Sequence, residues 1–265
     1  MKRSTILTFC SGLLLLLAAL PACKTQYDQI LEGNDVDAKY KMAFEYFNNG
    51  KYTRAAQLFE SLTLLTNGTE RHDTVMYYLG LSNYSNRDYY TAETNFQQYL
   101  IYFPQSVFSE QAEFFRIDCL YRATLRYELD QTPTYTAITA IGEYLREHPE
   151  GANADICRHR MTELGERLDR KAFENARIYY KMEDYRASRI AFKNILKENA
   201  DNIYREEILY YSAMSSYKYA AMSVPSRQRE RFLVFQDDYL NFIGEYPESA
   251  HRKELDALYG RVKEK

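Results

Sequence analysis

One triplet constrains this chain more than any other feature: an aromatic residue, a small residue three places on, and a large apolar residue four further. Gly50-Lys51-Tyr52-Thr53-Arg54-Ala55-Ala56-Gln57-Leu58-Phe59 contains it, and Arg87-Asp88-Tyr89-Tyr90-Thr91-Ala92-Glu93-Thr94-Asn95-Phe96 repeats it 37 residues later at every one of the three positions. Tyr185, Ser188 and Phe192 form a third copy, and the stretch from Thr134 to Ile141 a weaker one. Steps of three and four residues keep all three side chains on one face of a helix. Self-similarity at a period of roughly 20–50 residues means stacked supersecondary units, each unable to hide its apolar face alone. Strand-like alternation appears nowhere in the sequence.

The triplet resembles the second helix, helix B, of a tetratricopeptide repeat. The aromatic opens helix B and packs back on helix A, the small residue sits at the close crossing, and the large residue fills the gap to the next hairpin. Upstream, Met76-Tyr77-Tyr78-Leu79-Gly80 supplies helix A with a small residue at the crossing, matched by Ala43 and Ala176. Helix B closes before Pro104, Pro149 and Pro247, because proline disfavours a helical residue ahead of it. The anchors Phe59, Phe96, Ile141, Phe192 and Tyr239 are spaced by 37, 45, 51 and 47 residues, against about 34 in a regular array, so insertions lengthen the later units. Asp130 to Pro133 reads as a loop, and Gly151 to Lys181 as one long helix or two. The last hairpin runs from Ile208 to Met222 and from Gln228 to Gly244, and a capping helix from Ser249 to about Val262. The expected fold is all-α: a tetratricopeptide-like α-solenoid of about five helical hairpins plus a C-terminal capping helix. Its N-terminal repeats span 37–150 and its C-terminal repeats 151–265.

Residues 1–22 read as a lipoprotein signal peptide. Lys2 and Arg3 form a basic start, Ile6 to Leu20 an apolar stretch, and Leu20-Pro21-Ala22-Cys23 resembles a lipobox in which the Cys23 thiol takes a lipid. The apolar stretch, broken by Thr8, Ser11 and Gly12, is short for a span of about 20 residues. Residues 23–36 then form a lipidated N-terminus and polar tether. Lys24 in place of aspartate favours the outer membrane.

A formal charge of −3, made more acidic once Lys2 and Arg3 leave, gives no nucleic-acid surface. With 10 glycines in 265 residues the chain carries no phosphate-cradling or dinucleotide fingerprint. His72, His148, His159 and His251 lack ligand spacing, so no metal site is expected. No carboxylate pairs with a histidine or nucleophile, so no catalytic residues are assigned, and the only attached group expected is the covalent lipid on Cys23. Cys119 and Cys157 read as two buried thiols, with a disulfide as the alternative. The 26 tyrosines and 14 phenylalanines point to repeated packing between helices.

Lipobox, irregular hairpins and the string Tyr89-Tyr90-Thr91-Ala92-Glu93-Thr94-Asn95-Phe96-Gln97-Gln98-Tyr99-Leu100-Ile101-Tyr102-Phe103-Pro104 together resemble the BamD family of outer-membrane assembly lipoproteins. The early hairpin Tyr40/Ala43/Tyr46-Gly50-Tyr52-Ala55-Phe59 and the acidic turn Asp130-Gln131-Thr132 share the likeness, and Phe235 in the small position of the last hairpin departs from it. The resemblance implies a scaffold on the periplasmic face of the outer membrane. It would bind a BamA-like Omp85 barrel protein and unfolded outer-membrane proteins, its N-terminal repeats recognising substrate and its C-terminal repeats holding the complex together.

The helical pattern nominates surfaces for these tasks. Tyr40, Phe44 and Phe47 share one stripe of the first helix A, and Tyr77, Leu81 and Tyr84 copy it in the second. Both stripes are expected to line a peptide-binding groove or else to pack against a neighbouring hairpin. Arg186, Arg189 and Lys193 make a basic stripe suited to an acidic partner, or a solvated face. Two other functions stay open: an adaptor lipoprotein for cell-wall enzymes, and a hydrolase on a helical scaffold.

Overall fold

A computed structural model of the chain describes residues 25–262, and among these it contains twelve helices and no strand. They are α1 (Gln26–Glu32), α2 (Val36–Asn48), α3 (Tyr52–Leu65), α4 (Arg71–Ser85), α5 (Tyr89–Tyr102), α6 (Ser109–Arg122), α7 (Thr132–Glu147), α8 (Ala154–Lys181), α9 (Tyr185–Glu198), α10 (Arg205–Ala221), α11 (Pro225–Glu245) and α12 (Arg252–Val262). The chain divides into two compact units between Cys119 and Leu120. The boundary falls near the end of α6, which belongs almost wholly to the first unit, and α7 is the first helix wholly within the second.

In the first unit α2 packs on α3, α3 on α4 and α4 on α5, giving two stacked hairpins. The triplet residues are its centre. Ala55, Phe59, Ala92 and Phe96 have no exposed surface, and each buried large apolar side chain contributes about 1.5–3 kcal/mol. Gly80 admits the ring of Phe96 so closely that a methyl group there would lie 2.8 Å from it. In the second unit α9 packs on α8 and α10, and α10 on α11, with α12 closing the end through Leu255 and Val262. Phe235 occupies the small position of the last hairpin, where the partner helix supplies the space instead: Ser212, Ala213, Ser215, Ser216 and Ala220 of α10 are all buried.

Three of the turns between helices A and B share one geometry. Gly50, Arg87 and Glu183 take left-handed φ values of 71°, 65° and 62°. The next amide reaches back to the helix: Lys51 N–H to the Tyr46 carbonyl at 2.8 Å, Asp88 to Asn83 at 3.0 Å, Asp184 to Tyr179 at 3.0 Å. This double closure satisfies carbonyls that the helix end leaves open. Asp88 and Asp184 then cap the following helix, accepting from the amides of Thr91 and Ala187; Lys51, at the same place, offers no side-chain cap. Helix B ends alike at Phe103, His148 and Tyr246, each with φ near −125° and ψ near 60° directly before proline.

One open reading resolves and one expectation changes. The stretch from Gly151 to Lys181 holds one 28-residue helix, α8. Within the expected tether, Gln26–Glu32 is helical: Thr25 and Asp28 form a reciprocal capping box, and Tyr27 is buried with its hydroxyl on Gln57. Satisfying end amides in this way is what lets so short a segment stay helical. Cys23 and the signal peptide lie outside the described residues.

Candidate protein interface

The two aromatic stripes do not form an open trough. Phe44 packs edge-on against Phe59 and Tyr78, and Phe47 against Tyr52 and Tyr78, so this half-buried stripe fills the seam between α2 and α4. Tyr40 leans on Phe44 beneath the Arg71 guanidinium. Tyr77 is only 3% exposed; its ring stacks on Phe108 at 4.5 Å and its hydroxyl donates to Gln111 at 2.8 Å. Burial pushes the Tyr77 hydroxyl up to about 12. Leu81 joins the same cluster, and Tyr84 lies against Phe115 with its hydroxyl on Asp118 at 2.7 Å. The second stripe thus seals α4 against α6. A helix flanked by two neighbours needs two apolar stripes, and the surplus read as a groove is the second seam.

The basic stripe also divides. Asp238 of α11 is 7% exposed. It accepts two bonds from Arg189 at 2.6 and 3.1 Å, an ion pair from Lys193 at 2.9 Å, and a bond from Ser216. Burial raises its carboxyl, but these donors outweigh that and hold it below the usual carboxylate range. Arg189 and Lys193 therefore tie α9 to α11, and only Arg186 of the three stays fully on the surface. It lines a pocket of about 360 Å³ with Arg189, Arg231, Ile190 and Val234.

Sequence reasoning searched helix A for binding residues, whereas the largest exposed apolar side chains of the first unit sit on and beside helix B. Leu64 is 86% exposed and Tyr102 59%. They border a cleft of about 350 Å³ with Met76, Leu79 and His72. Burial lowers the His72 pKa, Asp73 opposing it. The signal was present in the sequence: Leu64 and Tyr102 fall outside the triplet face. Cys119 and Cys157 are buried thiols, as read. Among the described residues no helix is long and apolar enough to cross a membrane.

Helix-turn-helix units stacked side by side, with clefts between helices open to solvent, define an α-helical repeat protein. The family model YfiO, outer membrane lipoprotein, matches residues 33–233, and the chain belongs to this family. No curated protein matches it. Among solved structures, the TPR2AB domain–pHSP90 complex of yeast Sti1 is similar at 12% identity and a TM-score of 0.40, over 86% of this chain and 98% of that one.

Proposed function

We propose that this outer membrane lipoprotein is a non-enzymatic scaffold of β-barrel assembly. It is lipid-anchored through Cys23 on the periplasmic face, and it binds a BamA-like Omp85 barrel protein and unfolded outer-membrane proteins. The observation that carries the reading is the family match across 33–233, which takes in both units. In the first unit, the cleft edged by Leu64 and Tyr102 offers exposed apolar surface for an unfolded chain. In the second, the exposed Arg186 borders a pocket that it shares with Arg231 and Glu230 and whose third arginine is already neutralised by Asp238, and it offers a cation to a complex partner.

Co-purification from detergent-extracted envelopes tests it. An Omp85 barrel protein recovered with the chain is the expected result. Recovery of amidases or peptidases in its place would move the chain to the adaptors of cell-wall enzymes. Cys23→Ala should release the protein from the membrane with its helical content unchanged; retention of that variant as a lipoprotein refutes the anchor.

A further inference from the structure

A second groove, of about 690 Å³, lies wholly in the C-terminal unit. The end of α6, the connection to α7, one face of α8 and the turn before α10 line it. Its wall is preformed. The connection is laid along α8 by cations that take its oxygens: Arg167 bonds Thr124 Oγ1 and the Leu125 carbonyl, and Lys171 bonds the carbonyls of Tyr127 and Leu129. Gln131 takes the Arg126 carbonyl and shares that of Leu129. These main-chain acceptors already hold the protein's own donors, which favours a ligand read through side chains.

Those side chains are of two kinds. Tyr121, Tyr127, Tyr204, Leu125 and Ile203 give flat and branched apolar surface. The charged ones are four arginines and three glutamates. Glu163 is consumed internally, by the Tyr121 hydroxyl at 2.5 Å and by Arg167 at 2.9 Å. Arg126 and Arg170 then stand beside Glu128 and Glu166. Arg126 and Arg170 are exposed, and the Arg170 guanidinium carbon lies over the Tyr127 ring, 4.3 Å from its centre. A guanidinium edge matches a carboxylate in two parallel bonds. The intervening glutamates disfavour a polyanion such as nucleic acid.

We infer that this groove binds an extended segment of a partner protein in which carboxylates alternate with aromatic or branched apolar side chains. The carboxylates bind Arg126 and Arg170, and the apolar groups lie on Tyr121, Tyr204 and Ile203. The inference rests on the scaffold reading above and adds to it a location and a chemistry.

Fluorescence anisotropy with a labelled peptide of about 12 residues alternating Glu and Phe, against a Lys/Phe peptide of equal length, tests it on the chain from residue 24 onward. The Glu/Phe peptide should bind, the Lys/Phe peptide should not, and raising salt from about 50 to about 300 mM should weaken binding. The Arg126→Glu/Arg170→Glu variant should lose at least about tenfold in affinity, Ile203→Asp should also weaken it, and Lys253→Glu on exposed α12 surface away from the groove should leave it unchanged. Equal affinity for both peptides, or no loss in the double variant, overturns the inference, as does stronger capture by phosphatidylglycerol vesicles through the same arginines. If an Omp85 protein co-purifies while the peptide fails, the groove alone is refuted. If nothing co-purifies, the scaffold reading falls.

Discussion

Replacing Gly80 with alanine places two opposing effects on one residue. Within a helix interior the change removes the conformational cost of glycine, a gain of roughly 0.8–1.0 kcal/mol. At this crossing, however, the new methyl would sit 2.8, 3.0 and 3.1 Å from Cε1, Cδ1 and Cζ of Phe96. Phe96 is fully buried and stacked on Phe115, with Tyr77 on another side, so its ring has no room to retreat. Overpacking of this kind costs about 1–3 kcal/mol, here towards the upper end. The net expectation is a loss of about 1–2 kcal/mol. Gly165 in α8 is the internal control: nothing lies within 4 Å of a methyl there, so Gly165→Ala should gain close to the full propensity difference. In a Phe96→Leu background the Gly80→Ala change should turn from loss to gain, because the ring edge that it strikes is gone. Urea unfolding followed by circular dichroism gives all of these differences. If Gly80→Ala stabilised the protein as Gly165→Ala does, α4 and α5 would not cross as closely as the triplet requires.

Arg87→Gly and Glu183→Gly should each stabilise by about 0.5–1 kcal/mol, because both side chains are held at positive φ where glycine is unstrained; a lower urea midpoint in both would contradict this. Lys51→Asp should add the cap that Asp88 and Asp184 already supply and raise stability by about 1 kcal/mol, with an unchanged midpoint as the opposing result. Asp238→Asn should cost about 2–3 kcal/mol at pH 7, less than the roughly 3–5 kcal/mol of breaking a fully buried pair, because Lys193 is half exposed and can rehydrate. The sign with pH follows from the lowered carboxyl. Its contribution is complete above the ordinary aspartate value near ~3.9 and is lost as pH falls through the folded value. The variant's stability should therefore fall less steeply than wild type on acidification, and parallel acid limbs would refute the assignment.

The local parts of this fold were open to reading because their causes are local. The spacing 52/55/59 and 89/92/96 puts three side chains on one helical face, and those faces are buried. Proline after Phe103, His148 and Tyr246 closes a helix from either direction of reading. Even the short α1 carried its sign, a threonine three residues before an aspartate. What escaped was relational. Periodicity says that Tyr77, Leu81 and Tyr84 share a stripe, but not that Phe108, just before a later helix, and Phe115, on it, cover it. Arg189 and Lys193 look like a free basic face until Asp238, far along the chain, is brought beneath them. The tyrosines were legible as packing groups, yet their hydroxyl partners were not: Tyr99 on Asp73, Tyr210 on Glu254 and Tyr239 on Asp256 join residues from separate elements.

The undivided α8 has a mechanical consequence. At about 1.5 Å per residue, its 28 residues make a rod about 42 Å long. Gly142 of α7 lies against Met161 near one end, while Phe173 and Ala176 are locked among Phe192, Ile195 and Ile208 near the other. A hinge between two short helices would absorb a push from a bound partner; a continuous rod has no joint at which to lose it. A push where α7 grips is thereby passed along one element to where α9 and α10 do.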